Sequence, residues 1–426
     1  MRKLAFDITH LASRLPVDTP TGIDKVDLAF AQHFSRTGCD AVVHYGFLRP
    51  RFHRPELLAQ LVTAGLSRWS QADTRGNGAF ARVYRSLTNR KPNFDAVVGD
   101  ADHQCAGGNG RRSRRLAQLG WRSSPGLGGI PSDALYLNVA QHAFEYPRFF
   151  KWLDNRPDIK TVFLVHDLLP LDYPEYFRSG YKDRFEQRTQ TILDHASAII
   201  TTSHAVRDRL QREFSGRRRS IVPIHVEPLP SQLPSDMRFA SQDSHLREQP
   251  YFVILGTIEP RKNHLLLLNV WRRIAEETDQ PPRLVIVGNR GWENEQVVDI
   301  LERSALVKPH VIECSGLDDV GLVRLLANSR GLLMPSFAEG YGLPIVEALT
   351  LGVPVVAADI SVFDEVSQGR AVMRHPTDGP GWQSAIQELA DLGTPLARSA
   401  RDLAQGFRAP QWPTYFEGVN RFLATI

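Results

Sequence analysis

Residues 336–347 read SFAEGYGLPIVE, with carboxylates at Glu339 and Glu347 on either side of Gly340, Tyr341, Gly342 and Pro344. The apolar run from Gly331 to Ser336 has the length of a buried strand, and Pro344 suits the first helical position, where its missing N–H is no loss. A strand entering a glycine turn that opens a helix is one βα unit of an α/β domain. The turn suits an oxygen-rich ligand: Gly340 and Gly342 allow close backbone approach, and the helix start offers unpaired N–H groups with partial positive charge. Glu339 and Glu347 can accept hydrogen bonds from vicinal hydroxyls of a ribose or hexose. A capped helix with two solvated glutamates explains the stretch equally well when it stands alone.

The upstream sequence shifts that balance. Tyr251 to Gly256 (YFVILG) reads as a strand; Thr257 to Asn263 (TIEPRKN) follows, then a helical pattern, HLLLLNVWRRIAEE, that Asn263 can cap. Arg261 offers a planar fork and Lys262 a compact charge, in the strand-to-helix loop where a parallel sheet binds diphosphates. A solvated pair is the bland reading of any lone Arg-Lys. Finding it in one βα array with the acidic turn makes a joint site the better account.

GTIEPRKN (256–263), followed by PSFAEGYGLPIVEAL (335–349), closely resembles the retaining glycosyltransferases of family 4. That resemblance implies an α/β chain of GT-B fold, two Rossmann-like doubly wound domains facing across a cleft, acting on nucleotide-sugar donors. It is strong over residues 251–360 and looser before them. The wording, with GNRGW at Gly288 to Trp292, looks most like bacterial mannosyltransferases of O-antigen and capsule polysaccharide synthesis, which implies GDP-mannose as a candidate donor.

Site roles carry over residue by residue. Arg261 and Lys262 match the cations that neutralise the leaving diphosphate. Glu339 matches the glutamate that touches the donor sugar, and Glu347 the one that binds the ribose. Gly340, Tyr341, Gly342 and Leu343 would line the donor sugar. Many relatives carry Gly-Arg where this chain has Gly256-Thr257, so Arg261 substitutes for a missing cation beside Thr257. Gly22, in PTGIDK (20–25), resembles the family's first glycine loop, although a plain helix-start turn fits as well. His166, ending the strand Thr161 to Val165, resembles the histidine that approaches the donor sugar, with Asp167 to orient it or the acceptor. Gly316 and Leu317 stand where relatives hold the nucleobase.

The implied mechanism is front-face transfer with retained configuration. No D-x-D stands where a metal would bridge the diphosphate, so neither a metal nor a cofactor beyond the nucleotide-sugar substrate is expected. A GT-B-like sugar-nucleotide epimerase and a catalytically silent partner subunit are the competing readings; the first would need no acceptor, and the intact pairs Arg261/Lys262 and Glu339/Glu347 weigh against the second.

Composition agrees with two cores: the chain has 426 residues, 42% of them hydrophobic. We place an acceptor-side α/β domain at 1–240, a nucleotide-sugar-binding domain at 241–408, and a C-terminal helix at 409–426 returning to the first. Strands are expected at 3–9, 41–47, 95–99, 134–140, 161–166, 198–202 and 220–226, then near 251, 283, 310, 331 and 354. Pro/Ser/Gln-rich Glu227 to Pro250 reads as the linker and Cys105 to Pro131 as a mobile loop. Three scattered cysteines, Cys39, Cys105 and Cys314, fit no disulfide framework or metal spacing and suit a reducing cytoplasm. The start, MRKLAFDITHLASRLP, is too polar for a signal peptide and reads as a first strand, and Gly342 to Ile360 is too broken to span a bilayer.

Charge divides unevenly: residues 1–240 hold 34 Lys/Arg against 24 Asp/Glu, a net of +10, and the rest 17 against 23, a net of −6. Arg111, Arg112, Arg114 and Arg115 form one cluster and Arg217 to Arg219 another. A solvated loop is the bland reading of each; attraction to an anionic membrane surface or a lipid-linked acceptor is the functional one. Nucleic acid fits poorly, because no recognition-helix, stacking or zinc pattern accompanies the arginines.

Overall fold

Short β-branched and aromatic runs, closed by glycine, proline or polar turns, build two sheets. The computed structural model describes residues 2–17, 20–43, 50–75, 77–88, 129–233 and 243–426. Its first sheet contains β1 (Leu4–Asp7), β2 (Asp40–Val43), β3 (Arg51–His53), β4 (Leu135–Asn138), β5 (Lys160–Val165), β6 (Ala198–Thr201) and β7 (Ile224–Val226). Their order is β3-β2-β1-β4-β5-β6-β7, parallel except for the β2–β3 edge pair. The second contains β8 (Tyr251–Leu255), β9 (Arg283–Val287), β10 (Val311–Cys314), β11 (Gly331–Met334), β12 (Val355–Ala358) and β13 (Val372–Arg374). It runs β10-β9-β8-β11-β12-β13 and is parallel throughout. Every residue of β4, β6, β8, β11 and β12 is buried, as helices on both faces of a parallel sheet require. Strand order reverses between β1 and β4 and again between β8 and β11, which opens a ligand crevice at the carboxyl ends of both sheets.

Two strands lie outside the expected set. Arg51–His53 and Val372–Arg374 are three-residue edge strands, too short to carry a periodic signal. Pairing of the last strand of the first sheet begins only at Ile224, because Pro223 has no N–H to donate. The expected strand at 95–99 and the cluster Arg111 to Arg115 lie outside the described residues, as does nearly all of the Cys105 to Pro131 segment. The linker region is pinned by single buried side chains, Leu229, Leu233 and Leu246, the last on the short helix Ser244–Glu248. Cys39 and Cys314 are buried free thiols. In the second arginine cluster, Arg217 pairs with Glu213 at 2.5 Å and Arg219 with Asp194, so two of its three charges are already balanced.

Two helices cross between lobes. Helix Trp412–Leu423 returns to the first lobe, where Phe416 meets Phe30 at 5.2 Å and stacks on His33 at 3.9 Å, and Asn420 lies 3.1 Å from His33. Helix Asn77–Thr88 crosses the other way: the Arg324 guanidinium lies 4.8 Å over the Phe80 ring, and the Tyr84 hydroxyl reaches Asp243. Sequence position alone assigns that helix to the wrong side, because its amphipathic face says only that it packs, not on what. Among the described residues no helix is long and apolar enough to cross a membrane.

Candidate active site

The loop after β8 is shaped by Gly256, whose φ of +138° is strained for any side-chain-bearing residue; a Cβ there would sit 3.1 Å from Lys262 Cε. Pro260–Lys262 form one 3₁₀ turn ending at Asn263, with φ of +56°. Asn263 makes no side-chain cap, contrary to expectation. Its left-handed backbone turns the amide away, and Nδ2 donates to Pro335 O at 3.0 Å and Pro376 O at 2.8 Å. Phe337 N donates to Arg261 O at 2.9 Å. These bonds lock the cationic loop onto the turn 335–342.

Glu339 sits between the two cations. Its Oε1 lies 2.5 Å from Lys262 Nζ and accepts from Ser336 Oγ at 2.9 Å, and its Oε2 lies 2.6 Å from Arg261 Nη1. Burial opposes ionisation, yet Lys262 and Arg261 outweigh it and hold the carboxyl down at about 2. Arg261 also holds Glu259 at 2.6 Å and donates to Ala338 O at 3.0 Å. Its fork is therefore committed inside the protein, which narrows the expectation that both cations face a diphosphate. Lys262 has Glu339 as its one ion-pair partner among the described residues.

Across the seam, His166 follows β5 directly. Its Nε2–H donates to Val139 O at 2.9 Å, and burial, only partly offset by that bond, pushes the ring down to about 4. The imidazole is neutral, with the Nδ1 lone pair uncommitted to this bond. Asp167 accepts from Leu169 N at 3.1 Å, and burial raises its pKa against the pull of Arg261. Gly340 abuts both residues: a Cβ there would lie 2.7 Å from His166 O and 2.6 Å from Asp167 Cβ. Ser203, which caps helix His204–Gly216, also donates to Gly340 O at 3.2 Å.

Gly22 is the first residue of helix Gly22–Ser35, capped by a reciprocal Thr21–Asp24 box, and a Cβ on it would meet Leu343 Cδ1 at 3.3 Å. Gly342 is the N-cap of helix Leu343–Thr350, so Pro344 is its second residue, not its first. Glu347 in that helix is pushed up to about 7 by burial, with Lys25 opposing and Asp319 reinforcing. Lys25 and Asp319 themselves pair across the lobes at 2.6 Å. Tyr341 is an anchor: its ring is buried and its hydroxyl donates to Leu229 O at 2.8 Å.

The structure thus gathers Gly22, His166, Arg261, Lys262, Glu339 to Leu343 and Glu347 along one interlobe seam. Thr257 is turned toward the loop after β9, its Cγ2 filling the space beside Gly291. Gly316 and Leu317 lie at the end of β10, Gly316 with open space where a side chain would stand. Sequence reasoning missed Lys25, Asp319 and Glu259; the only signal for Lys25 is its place one turn beyond Gly22 in TGIDK. Among the described residues no group of three or more His, Cys, Asp or Glu side chains is placed to hold a metal ion.

Two Rossmann-like sheets meeting at their carboxyl ends, with the site in the seam, define a GT-B glycosyltransferase fold. The fold superposes along its whole length on sucrose-phosphate synthase from Thermosynechococcus elongatus (TM-score 0.59, 15% identity, 100% of this chain and 99% of that one). It does so equally on Anabaena HepE in complex with UDP (TM-score 0.57, 16% identity, 100% of each chain). More specifically, residues 236–371 carry a glycosyl transferases group 1 domain. The O-antigen chain mannosyltransferase B of Escherichia coli is 31% identical over 251 residues, 58% of this chain and 65% of that protein. The serotype-specific mannosyltransferase WbdA of Escherichia coli is 28% identical over 223 residues, 50% of this chain and 27% of that protein. The match therefore spans just under two thirds of the first relative and about a quarter of the second.

Proposed function

We propose that this protein is a retaining hexosyltransferase that moves a sugar, mannose being the candidate, from a nucleotide-diphosphate donor to a growing or lipid-linked glycan in surface polysaccharide synthesis. The carrying observation is Glu339, held ionised between Lys262 and Arg261 one residue from Gly340, which touches His166 and Asp167 of the opposite lobe. Breaking the sugar–diphosphate bond develops positive charge at the anomeric carbon and negative charge on the leaving group. Lys262 and the start of helix Leu343–Thr350 would oppose the second charge from fixed positions, which lowers the barrier without reorganisation. Glu339 would position a sugar hydroxyl, and Glu347 the ribose. A glycosidase-like pair flanking the bond does not suit these two carboxylates if one holds ribose. The leaving phosphate oxygen takes the acceptor proton on the same face, retaining configuration with no bridging metal. The mannosyltransferase relatives support the sugar, and the basic first half suits an anionic acceptor at the inner membrane face.

The test is nucleoside diphosphate release from GDP-, UDP-, dTDP- and ADP-sugars, with and without lipid-linked acceptor. Release from one donor, stimulated by acceptor, is expected; no release and no binding of any donor overturns the reading. Lys262→Ala should lower kcat by about 10²–10³-fold, the scale of removing one group that stabilises developing charge. Arg261→Ala should instead cost about 3–5 kcal/mol of stability, because it strands buried Glu259 without its ion-pair partner and leaves Glu339 with Lys262 alone.

A further inference from the structure

We propose that a pocket beside the donor loop, walled by Phe177, Tyr181 and Trp292 and edged by Arg178 and Arg184, is the subsite for an acceptor glycan that carries an anionic group. The proposal rests on the transferase reading and adds to it where the acceptor sits and what charge it bears. The cavity holds about 490 Å³, within the range of small-ligand sites. One wall follows β5 and the other follows β9, so the pocket opens at the carboxyl ends of both sheets and needs both lobes.

Trp292 Nε1 donates to Tyr176 O at 3.1 Å across the seam, and the Arg178 guanidinium lies 5.3 Å over the indole ring. Phe177 and Tyr181 stack at 5.7 Å, with ring planes 10° apart. Tyr176 stacks in turn on Phe337 at 5.3 Å, and Phe337 N is bonded to Arg261 O. Two stacked rings, Tyr176 and Phe337, thus link the pocket to the Arg261–Glu339 cluster.

The two chemistries of the pocket select the ligand. Flat aromatic walls offer apolar area to the C–H face of a pyranose while leaving its hydroxyls to solvent. Among the described residues neither Arg178 nor Arg184 is ion-paired, unlike Arg188, Arg209 and Arg217 nearby. A guanidinium fork without a carboxylate partner matches a carboxylate or a phosphate bidentately. Gly180 also lines the pocket, and a Cβ there would meet nothing within 4 Å, so the pocket is open on that side.

Acceptor binding is measured by titration calorimetry, with nucleoside diphosphate at saturation to occupy the donor loop. The probes are a neutral manno-oligosaccharide, the same chain ending in a uronate, and an alkyl ester of a sugar 1-phosphate. Tighter binding of the uronate or of the phosphate ester is expected, and whichever binds tighter names the source of the charge. Arg178→Ala/Arg184→Ala should weaken that probe about tenfold or more, the scale of a lost charge-assisted hydrogen bond, while Trp292→Phe retains most of the binding that Trp292→Ala loses. Equal binding of neutral and charged probes, or an unchanged dissociation constant in the double arginine variant, overturns the proposal. So does failure to bind any glycan in a protein that still binds nucleotide, an outcome that leaves the donor reading standing. Arginine-dependent glycan binding without any transfer would support the subsite and sink the transferase reading.

Discussion

Glu347 is 8% exposed and its carboxyl sits at about 7, against 4.5 for the free side chain. A folded-state value above the unfolded one means the protonated form is favoured on folding. The contribution of Glu347 to stability is therefore greatest below pH 4.5, falls as pH rises toward 7, and is lower by about 3 kcal/mol above it. Glu347→Gln, which cannot ionise, should lose that slope and be the more stable protein at pH 8.5 in denaturant unfolding. Asp27, raised by burial to about 6 despite His10, titrates in the same window, so the difference between the two proteins is the quantity to read. Ligand binding should show the opposite sign. A ribose diol donates to the carboxylate, so affinity for a nucleotide sugar should climb as pH rises through about 7 and level off above it, and Glu347→Gln should flatten the climb. Neither Glu339, at about 2, nor His166, at about 4, titrates in that range. A climb that survives in Glu347→Gln would place the ribose elsewhere.

The turn 335–342 shows what one element conveys by itself and what it does not. Its glycines, its proline and its carboxylates were legible as a ligand-facing βα turn because that chemistry is local, and the buried strands were legible because helices cover both faces of each sheet. The partners of the turn were not. Asn263 reaches Pro335 and Pro376, Ser203 reaches Gly340 O, and Trp292 reaches Tyr176 O, all through contacts 72 to 137 residues apart that no spacing rule encodes. Edge strands Arg51–His53 and Val372–Arg374 were missed because three residues give no period. The tightest of these contacts yields a test. Alanine at position 340 would place its methyl 2.6–2.7 Å from Asp167 Cβ and His166 O, too close for either to remain where it is. Overpacking of this kind costs about 1–3 kcal/mol, and the softest response is for the lobes to part. Gly340→Ala should therefore raise the radius of gyration in small-angle scattering and lower transfer more than tenfold. Full transfer at an unchanged radius would show that the seam accommodates a methyl without parting.

Across the whole molecule the lobes are fastened by chain crossings as well as by side chains. Helix Asn77–Thr88 leans on the second lobe, Trp412–Leu423 leans back on the first, and Lys25–Asp319 and Tyr341–Leu229 bridge the seam between them. The returning helix matters most to the first lobe: Phe416 is buried against Phe30, His33 and Trp412, and it covers the helix that begins at Gly22. Phe416→Ala removes the ring that joins them, and truncations of this type cost about 3–5 kcal/mol. The loss should fall unequally. Helix Gly22–Ser35 shares one core with β1 and β4 through Phe6, Phe30 and Phe34, and that core continues onto one face of β8 and β11 through Val253 and Leu332; their other face, with Phe252 and Leu333, packs on Trp271 and Trp382 in a cluster of its own. Native-state hydrogen exchange should therefore show the amides of β1 and β4 opening faster in Phe416→Ala while those of β8 and β11 keep most of their protection. Equal acceleration in both sheets would mean that the helix holds the molecule as one cooperative unit, and that the two lobes open only by unfolding together.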